Sequence, residues 1–470
     1  INIQMDNNKK NIEYHKVYEI PNINDILETK NDVIRSNNHP QPLFSLGFHY
    51  YIHQTKDKMS ITNSEKYRRK KFYHVVNNFE HKIDNLKDNE IDICRKTLDF
   101  FDIKDDTPGI LSRAFYKLWE IIMNFEIIDN KNKNFLSAHL AEGPGSFIQA
   151  TMFYRSKYCD EKVITNDKYH AITLHSSSKD IPDLENKFIN YYDKQKPKKF
   201  IQHVTYPTDK VTTSINKDDG DLTKLKTIKL FRKEIEKNNK YADLVTADGG
   251  FPWFDENYQE QEVYRLLLGE IVSALNIQNK GGHFILKIYE IFTDVTIKLI
   301  CILKSFYENV YIYKPFLSRS SNSERYIIAK NFKFKQDKSL LKKIIKLENM
   351  LEKSNNIENE NFIHDIFSEY EISENLKKVI IYQNKILSNI QHREINKIIS
   401  YINGGNYFGD LYHEYRDKQI KSNSFWIENY YSKKSDIDKY LKNNMIQIKK
   451  IVSNNTKNIK NFSDTYNKII

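Results

Sequence analysis

The chain has 470 residues and a formal net charge of +11, with 39% hydrophobic and 29% charged residues. This length exceeds that of an ordinary single domain and predicts two or three domains, with enough apolar residues for a sizeable core. Glycine and proline are few, at 13 and 10 residues, which excludes collagen-like and Pro/Gly-rich disordered classes. The positive charge is compatible with a nucleic-acid partner, but an AT-rich genome would produce the same lysine enrichment.

Cysteine usage and hydropathy indicate a protein of a reducing compartment. Cys94, Cys159 and Cys301 lie far apart and fit neither a disulfide framework nor a zinc site. No apolar run approaches the roughly 18 residues of a membrane span, and the N-terminus lacks the apolar segment of a signal peptide. We therefore expect a cytoplasmic location and no membrane partner.

The first 105 residues are polar and mixed, and helix-like spacing, as in 84–101, predicts a mostly helical N-terminal extension. Within it the basic cluster Arg68 to Lys71 lies beside Tyr67 and Phe72. Basic side chains bind phosphates and aromatic rings stack on bases. This cluster is therefore either a nucleic-acid contact or a solvated helix face.

Residues 106–332 alternate between strand-length apolar runs and helical spacing, which predicts a second, central domain. The predicted strands cover 135–140, 171–174, 241–247, 283–288, 310–313 and 325–329, and the predicted helices cover 263–277 and 295–306. Alternation of this kind is typical of an α/β, doubly wound, mostly parallel sheet with helices on both faces. Ligands bind such sheets at the carboxyl ends of the strands.

The last region, 333–470, contains no proline and has long helix-compatible stretches, for example 339–353 and 373–400. It predicts a basic, α-helical C-terminal extension. Partner docking, RNA binding and simple packing all remain open as its role.

Four stretches carry residues suited to chemistry. The turn 142–147, Glu-Gly-Pro-Gly-Ser-Phe, follows a predicted strand and lets the backbone approach a ligand, although a plain strand-to-helix turn has the same pattern. It is not a P-loop, because no Gly-Lys-Ser/Thr follows.

The other three stretches each place a charged residue at a strand end. Asp248 ends a strand before two glycines, Lys287 lies near the end of an apolar strand, and Glu324 opens the last predicted strand. A buried lysine needs a partner or a function.

Taken together, these residues resemble the FtsJ-like (RrmJ or adrift-type) ribose 2′-O-methyltransferases. The resemblance implies a Rossmann-like doubly wound methyltransferase sheet, S-adenosylmethionine as cofactor and a Lys-Asp-Lys-Glu catalytic tetrad. The tetrad falls on Lys117, Asp248, Lys287 and Glu324. The implied cofactor-binding residues are Glu142, Gly143, Pro144, Gly145, Ser146, Phe147, Asp221, Leu222 and Asp248. Ser146 replaces a glycine of the family pattern, and the strand end at Thr173–Leu174 lacks a ribose-binding acid.

A second motif narrows the resemblance. The run Lys-Pro-x-x-Ser-Arg-x-x-Asn-Ser-Glu at 314–324 is more similar to the mRNA cap-1 methyltransferases than to the ribosomal RNA branch, and the chain is similar to methyltransferases of large cytoplasmic DNA viruses of the asfarvirus kind. This implies a capped mRNA 5′ end as partner, other capping-enzyme subunits as further partners, and a viral factory or virion as location if the source is viral. Arg319, Asn322 and Ser323 become the implied RNA-binding residues.

The resemblance leaves several roles open. Lys287 is either a general base or an electrostatic stabiliser of the developing alkoxide, with Asp248 orienting the lysines and Glu324 holding them. Trp253 and Phe254 either stack on a base or belong to the core, and Lys194 to Lys199 is either an RNA contact or solvated surface. We predict no essential metal. A ribosomal RNA methyltransferase and a non-catalytic RNA-binding subunit are the alternative functions.

Overall fold

The computed structural model describes residues 16–42, 46–63, 71–104, 107–175, 181–203, 220–250, 253–355 and 362–466. Its centre is an eight-stranded sheet, and a separate two-stranded sheet lies beside it. The strands are β1 (Lys16–Glu19), β2 (Val33–Ser36), β3 (Leu136–Leu140), β4 (Lys168–Ile172), β5 (Phe200–Gln202), β6 (Ala242–Ala247), β7 (Gln278–Ile288), β8 (Tyr307–Lys314), β9 (Arg325–Phe332) and β10 (Phe362–Ile366).

Helices cover both faces of the large sheet, and each face has its own apolar core. The helices are α1 (Leu46–Asp57), α2 (Phe72–Val76), α3 (Ile93–Phe100), α4 (Ala114–Phe125), α5 (Ser146–Tyr158), α6 (Glu161–Ile164), α7 (Asn186–Asp193), α8 (Leu225–Glu236), α9 (Gln259–Glu262), α10 (Tyr264–Ile277), α11 (Asp294–Phe306), α12 (Lys338–Lys353), α13 (Glu374–Gly404), α14 (Asp410–Tyr430) and α15 (Ile437–Tyr466). One core contains α8, α10, α11 and α12, and the other contains α4, α5, α7 and α15.

The strand order is β1-β8-β9-β7-β6-β3-β4-β5. Strands β7, β6, β3, β4 and β5 are parallel, whereas β9, β8 and β1 add on antiparallel. The doubly wound α/β sheet predicted from the sequence is therefore confirmed. Because β9 runs against β7, its first residue lies at the same edge of the sheet as the carboxyl ends of the parallel strands.

The two extensions are less purely helical than predicted. Strand β1 pairs with β8 and so belongs to the central sheet, and β2 pairs with β10 across more than 300 residues of chain. Helix α15 covers the outer edge of β1, where the Asn455 side chain donates to the Val17 carbonyl at 2.7 Å. The N- and C-terminal extensions therefore pack on the central sheet and on each other.

The elements inside 106–332 lie within a few residues of their predicted bounds. The helix predicted at 84–101 covers only Ile93–Phe100, because residues 84–92 form turns. In the described residues no helix is long and apolar enough to cross a membrane.

Candidate active site

The four residues of the predicted tetrad come from four different elements. Lys117 lies in the first half of α4, Asp248 directly follows β6, Lys287 is the penultimate residue of β7, and Glu324 directly precedes β9. The last three of these positions fall at the carboxyl edge of the parallel strands. Helix α4 packs on one face of the sheet and brings Lys117 to the same edge.

The tetrad forms two ion pairs. Lys117 Nζ lies 2.7 Å from Glu324 Oε2, and Lys287 Nζ lies 3.3 Å from Asp248 Oδ1 and donates to the Asp248 carbonyl at 2.8 Å. All four side chains are 11–18% exposed, so each is largely shielded but still reachable from one side.

The pKa values of Lys287 and Glu324 depend on charges from both ion pairs. Burial alone would lower the pKa of Lys287, but the negative charge of Asp248, with further contributions from Tyr289, Glu324 and Glu270, raises it above its usual value. Burial would likewise raise the pKa of Glu324, but Lys117 and Lys287 outweigh this and hold it at about 2. Lys287 is therefore an ammonium and Glu324 a carboxylate at neutral pH.

Two further side chains frame this pair, and sequence reasoning gave them no role. Tyr326 donates its hydroxyl to Asp248 Oδ1 at 3.0 Å, and the Tyr289 ring lies 5.9 Å from Lys287 Nζ. Gly250 keeps the approach to Lys287 open, because a Cβ there would lie 3.4 Å from Nζ and 3.2 Å from the Tyr289 hydroxyl. The alternation of β7 and β9 could have identified both tyrosines, since each lies two residues beyond a tetrad member.

Glu142 occupies the turn between β3 and α5. Its Oε1 accepts the backbone N–H groups of Phe147 and Ile148, both at 2.8 Å, and so caps α5. Its Oε2 is buried without a hydrogen-bond partner among the residues that the structure describes. Burial, and then the charge of Asp248, raises the pKa of this carboxyl well above its usual value. An unpartnered buried acceptor of this kind fits a cationic or N–H group of a ligand.

The rest of the turn 142–147 is closely packed. A Cβ on Gly143 would lie 1.7 Å from the Pro182 carbonyl oxygen, and Gly145 has a φ of +114°, so both positions require glycine. Ser146 is buried and its hydroxyl lies 2.7 Å from the Ser112 hydroxyl. Pro144 accepts the Glu185 N–H at 2.9 Å.

The run 219–223, Asp-Gly-Asp-Leu-Thr, resembles the family segment near the adenine and carries the predicted cofactor-binding residues Asp221 and Leu222; its residues from Gly220 on lie at the end of β4. Gly220 has a φ of +83°, and a Cβ there would lie 1.9 Å from the Thr173 carbonyl oxygen. Asp221 accepts the backbone N–H and the hydroxyl of Thr223, at 2.9 and 2.7 Å, and Leu222 is buried. This segment is thus beside the turn 142–147, because Thr173 Oγ1 also accepts the Gly143 N–H at 3.3 Å. Asp219 lies outside the described residues.

The three predicted RNA-binding residues make contacts within the protein. Arg319 is paired with Glu80 at 2.7 Å and its guanidinium lies 5.6 Å from the Tyr73 ring. Ser323 is 3% exposed and donates to Glu290 Oε1 at 2.8 Å, so its side chain supports the loop from inside. Asn322 is exposed. RNA contact by these residues stays a prediction.

Lys314 organises the loop 315–324 that carries Glu324. Its buried Nζ donates to Ser318 Oγ at 3.2 Å, to the carbonyl and Oδ1 of Asn322 at 2.9 Å each, and to the Glu324 carbonyl at 2.7 Å. In the sequence analysis, Lys314 was noted only as the first residue of the motif 314–324. A lysine at the end of a strand that is apolar on both sides is the signal that could have identified it.

The other candidate RNA contacts differ in position. The Trp253 ring packs edge-on against Tyr289 at 4.8 Å and so lies near Lys287, whereas Phe254 is 98% exposed and its N–H is bonded to Glu262. The cluster 194–199 directly precedes β5 and therefore lies at the opposite edge of the sheet, away from the tetrad. Of the cluster 68–71, only Lys71 is among the described residues.

No group of three or more His, Cys, Asp or Glu side chains able to hold a metal ion occurs in the part of the chain that the structure describes. That the chemistry needs no metal stays a prediction.

Comparison with known proteins assigns this site to a family. The FtsJ-like methyltransferase family matches residues 110–332, which include all four tetrad residues. The chain is 32% identical over 236 residues to cap-specific mRNA (nucleoside-2′-O-)-methyltransferase 2 of Drosophila melanogaster, covering 49% of this chain and 31% of that protein. It is 40% identical over 118 residues to cap-specific mRNA (nucleoside-2′-O-)-methyltransferase 1 of Mus musculus, covering 24% and 14%.

The match to a viral relative spans a larger share of that relative. The chain is 30% identical over 242 residues to probable methyltransferase EP424R of African swine fever virus, covering 50% of this chain and 53% of that protein. The chain thus spans about half or less of the length of these relatives. The matched segment coincides with the part of the sheet that carries the tetrad, and the chain therefore contains a domain of the FtsJ-like methyltransferase family at residues 110–332.

Proposed function

We propose that this protein transfers the methyl group of S-adenosylmethionine to a ribose 2′-hydroxyl of RNA, at the first transcribed nucleotide of capped mRNA. The observation that carries the proposal is the pairing of Lys287 with Asp248 beside the Lys117–Glu324 pair, at the ligand-binding edge of the sheet. The names of the Drosophila and mouse relatives support the cap as substrate.

Bound S-adenosylmethionine supplies the methyl group as a sulfonium electrophile. The attacking 2′-hydroxyl has to lose its proton, which would pass to solvent water at this partly open site, and a fixed cation beside the oxygen stabilises the alkoxide character that develops and so lowers the barrier. Lys287 is suited to this role because its raised pKa keeps it an ammonium. Of the two roles that the sequence leaves open, the electrostatic one is therefore favoured over the general base.

The remaining tetrad members fix that cation in place. Asp248 holds the Lys287 ammonium through both its carboxylate and its carbonyl, and Tyr326 holds Asp248. The Lys117–Glu324 pair places one positive and one negative charge near Lys287. Because these two charges cancel, the pair orders the site without changing its net charge. Positioning of this kind supplies much of the rate in a displacement reaction.

On the cofactor side, Glu142 Oε2 is the acceptor suited to the cationic amine of the methionine moiety. Glycines 143 and 145 keep the turn close to the sheet, and residues 220–222 beside Thr173 are suited to the adenine end.

On the RNA side, Phe254 and Trp253 are suited to stacking on a base or on the cap, and Arg319 to a phosphate. The proposed location of the reaction is the cytoplasm, or a viral factory or virion if the source is viral. Other capping-enzyme subunits are the proposed further partners.

The test uses labelled S-adenosylmethionine and three short RNAs: one with a cap-0 end, one uncapped, and one ribosomal RNA hairpin. We expect label in the capped RNA and none with Lys287→Ala, while that variant keeps cofactor affinity within about two-fold. Label only in the hairpin would move the substrate to ribosomal RNA. Label in none of them, from a folded protein that binds RNA, would refute the enzyme proposal in favour of a non-catalytic subunit.

A further inference from the structure

Glu80, in the N-terminal extension, is a buried carboxylate held between two arginines. Its side chain is 4% exposed. Arg113 Nη1 donates to both carboxylate oxygens, and Arg319 donates to Oε1 through Nη2 at 2.7 Å and through Nε at 3.1 Å. Burial alone would raise the pKa of Glu80, but the two guanidinium charges outweigh it and hold the pKa at about 2.

The two arginines lie on the two segments that carry the Lys117–Glu324 pair. Arg113 directly precedes α4 in helical conformation, one turn before Lys117, so both side chains lie on the same side of the helix axis. Arg319 lies on the loop 315–324, five residues before Glu324. The helix and the loop are thus joined by the Lys117–Glu324 ion pair, by Glu80 through both arginines, and by Glu120 of α4, which accepts the Phe316 N–H at 2.9 Å.

Other contacts fix Glu80 itself. Its carbonyl accepts the Asn423 side chain of α14 at 3.0 Å, and Asn77 donates to Oε2 at 3.2 Å. Arg113 also donates to the carbonyl oxygens of Phe79 and Leu317. The backbone of Glu80 is therefore tied to the C-terminal extension, while its carboxylate is tied to the loop and to the start of α4.

The charges explain why a carboxylate is needed here. Without Glu80, two largely buried guanidinium groups would face each other with no anion between them, since Arg113 is 12% and Arg319 is 30% exposed. Like charges in a partly buried place repel strongly, because water screens them weakly. The repulsion would push the loop away from α4 and separate Glu324 from Lys117.

We propose that Glu80 is a positioning residue for the methyl transfer, which sets the distance between Lys117 and Glu324 from outside the catalytic domain. This inference rests on the proposed function for its kinetic consequence, but its structural consequence stands alone. It gives the two extensions a role in the reaction without any contact to substrate.

The decisive variant is Glu80→Gln, which keeps the shape of the side chain and removes its charge. The matched control is Asp167→Asn, because Asp167 is a fully buried partner of Arg155 at 2.8 Å and lies beside the start of β4, at the opposite edge of the sheet. The measurements are the single-turnover methyl-transfer rate on capped RNA, the S-adenosylmethionine dissociation constant, the melting temperature, and hydrogen exchange of segments 113–117 and 315–324.

For Glu80→Gln we expect a rate lower by roughly 10- to 100-fold, as misplacement by about 1 Å can produce. Cofactor affinity should stay within about two-fold, and exchange should be faster in both segments. Asp167→Asn should lower the melting temperature comparably and leave the rate of the folded protein and the exchange of both segments unchanged. Unchanged exchange in Glu80→Gln would overturn the inference even if the wild-type protein methylates no RNA, and so would equal rate losses in both variants.

Discussion

Lys314 offers the sharpest quantitative test of how the loop 315–324 is held. In Lys314→Met the side chain keeps its length and loses every N–H donor. Three oxygens then lose their partner: the carbonyl and Oδ1 of Asn322, and the Glu324 carbonyl. Ser318 Oγ lies 3.3 Å from both Asn322 Oδ1 and the Glu324 carbonyl, so it can satisfy one of them.

Because Asn322 is exposed, water can replace the donor at its two oxygens, and about one buried oxygen remains at risk, at a cost of about 1–3 kcal/mol. The methionine relieves part of this, because burial of the amine, which lowers the pKa of Lys314 well below its usual value, is itself unfavourable. We expect a net loss of about 1 kcal/mol in the free energy of unfolding. For a unit of the size of residues 110–332 this corresponds to a melting temperature lower by roughly 2–4 °C.

The assay combines thermal unfolding with single-turnover methyl transfer. Because Glu324 follows the released loop, the rate should fall by roughly 10- to 100-fold, with cofactor affinity unchanged. The control is Lys304→Met, since Lys304 is also buried but donates once, to the Glu308 carbonyl at 2.8 Å, at the opposite edge of the sheet. A Lys314→Met protein with the melting temperature and rate of the wild type would refute the reasoning.

Three further outcomes are expected. Lys287→Arg should lower the transfer rate by at least about 100-fold, because a guanidinium cannot replace the ammonium at the Asp248 carboxylate and carbonyl together; full activity in a rate assay would contradict this. Gly143→Ala should weaken cofactor binding by at least about 10-fold, measured by calorimetry, because its Cβ would lie 1.7 Å from a main-chain oxygen, whereas Gly109→Ala, with nothing within 4 Å, should bind normally. Glu80 has a lowered pKa in the folded state, so its contribution is complete above the unfolded value of 4.5 and is lost as pH falls towards about 2; unfolding free energy measured from pH 6 to 3 should fall less in Glu80→Gln than in the wild type.

The central sheet was predictable because most of its inner strands are buried on both faces and contain apolar runs. Leu136–Leu140 and Ala242–Ala247 are examples, and each ends in glycine-containing turns that mark the site. The tetrad followed from the resemblance of those strand ends to a known family. The short edge strand Lys16–Glu19 was missed, because four residues give no periodicity and only the contact with β8 makes them a strand.

The supporting residues were beyond the reach of the sequence for a different reason. Glu80 and Arg319 are 239 residues apart, and nothing local marks either as a partner of the other. Arg319 was predicted to bind RNA from its place in the family motif at 314–324; the structure adds a pairing with the buried Glu80 carboxylate that the motif does not reveal, and RNA contact stays a prediction. Pairings of this range are set by the packing of the extensions on the sheet.

Strand β1 has a practical consequence for anyone wishing to study residues 110–332 alone. In the full chain, β8 hydrogen-bonds to β9 on one side and to β1 on the other. Trimming the chain to 110–332 would remove β1. The eight residues Tyr307–Lys314 of β8, most of which are buried in the full chain, would then form an exposed edge strand with unpaired backbone groups. Such an edge is a template for pairing with another molecule, so the trimmed protein should self-associate, whereas a chain that keeps β1 and the helix α15 that covers it should stay dispersed.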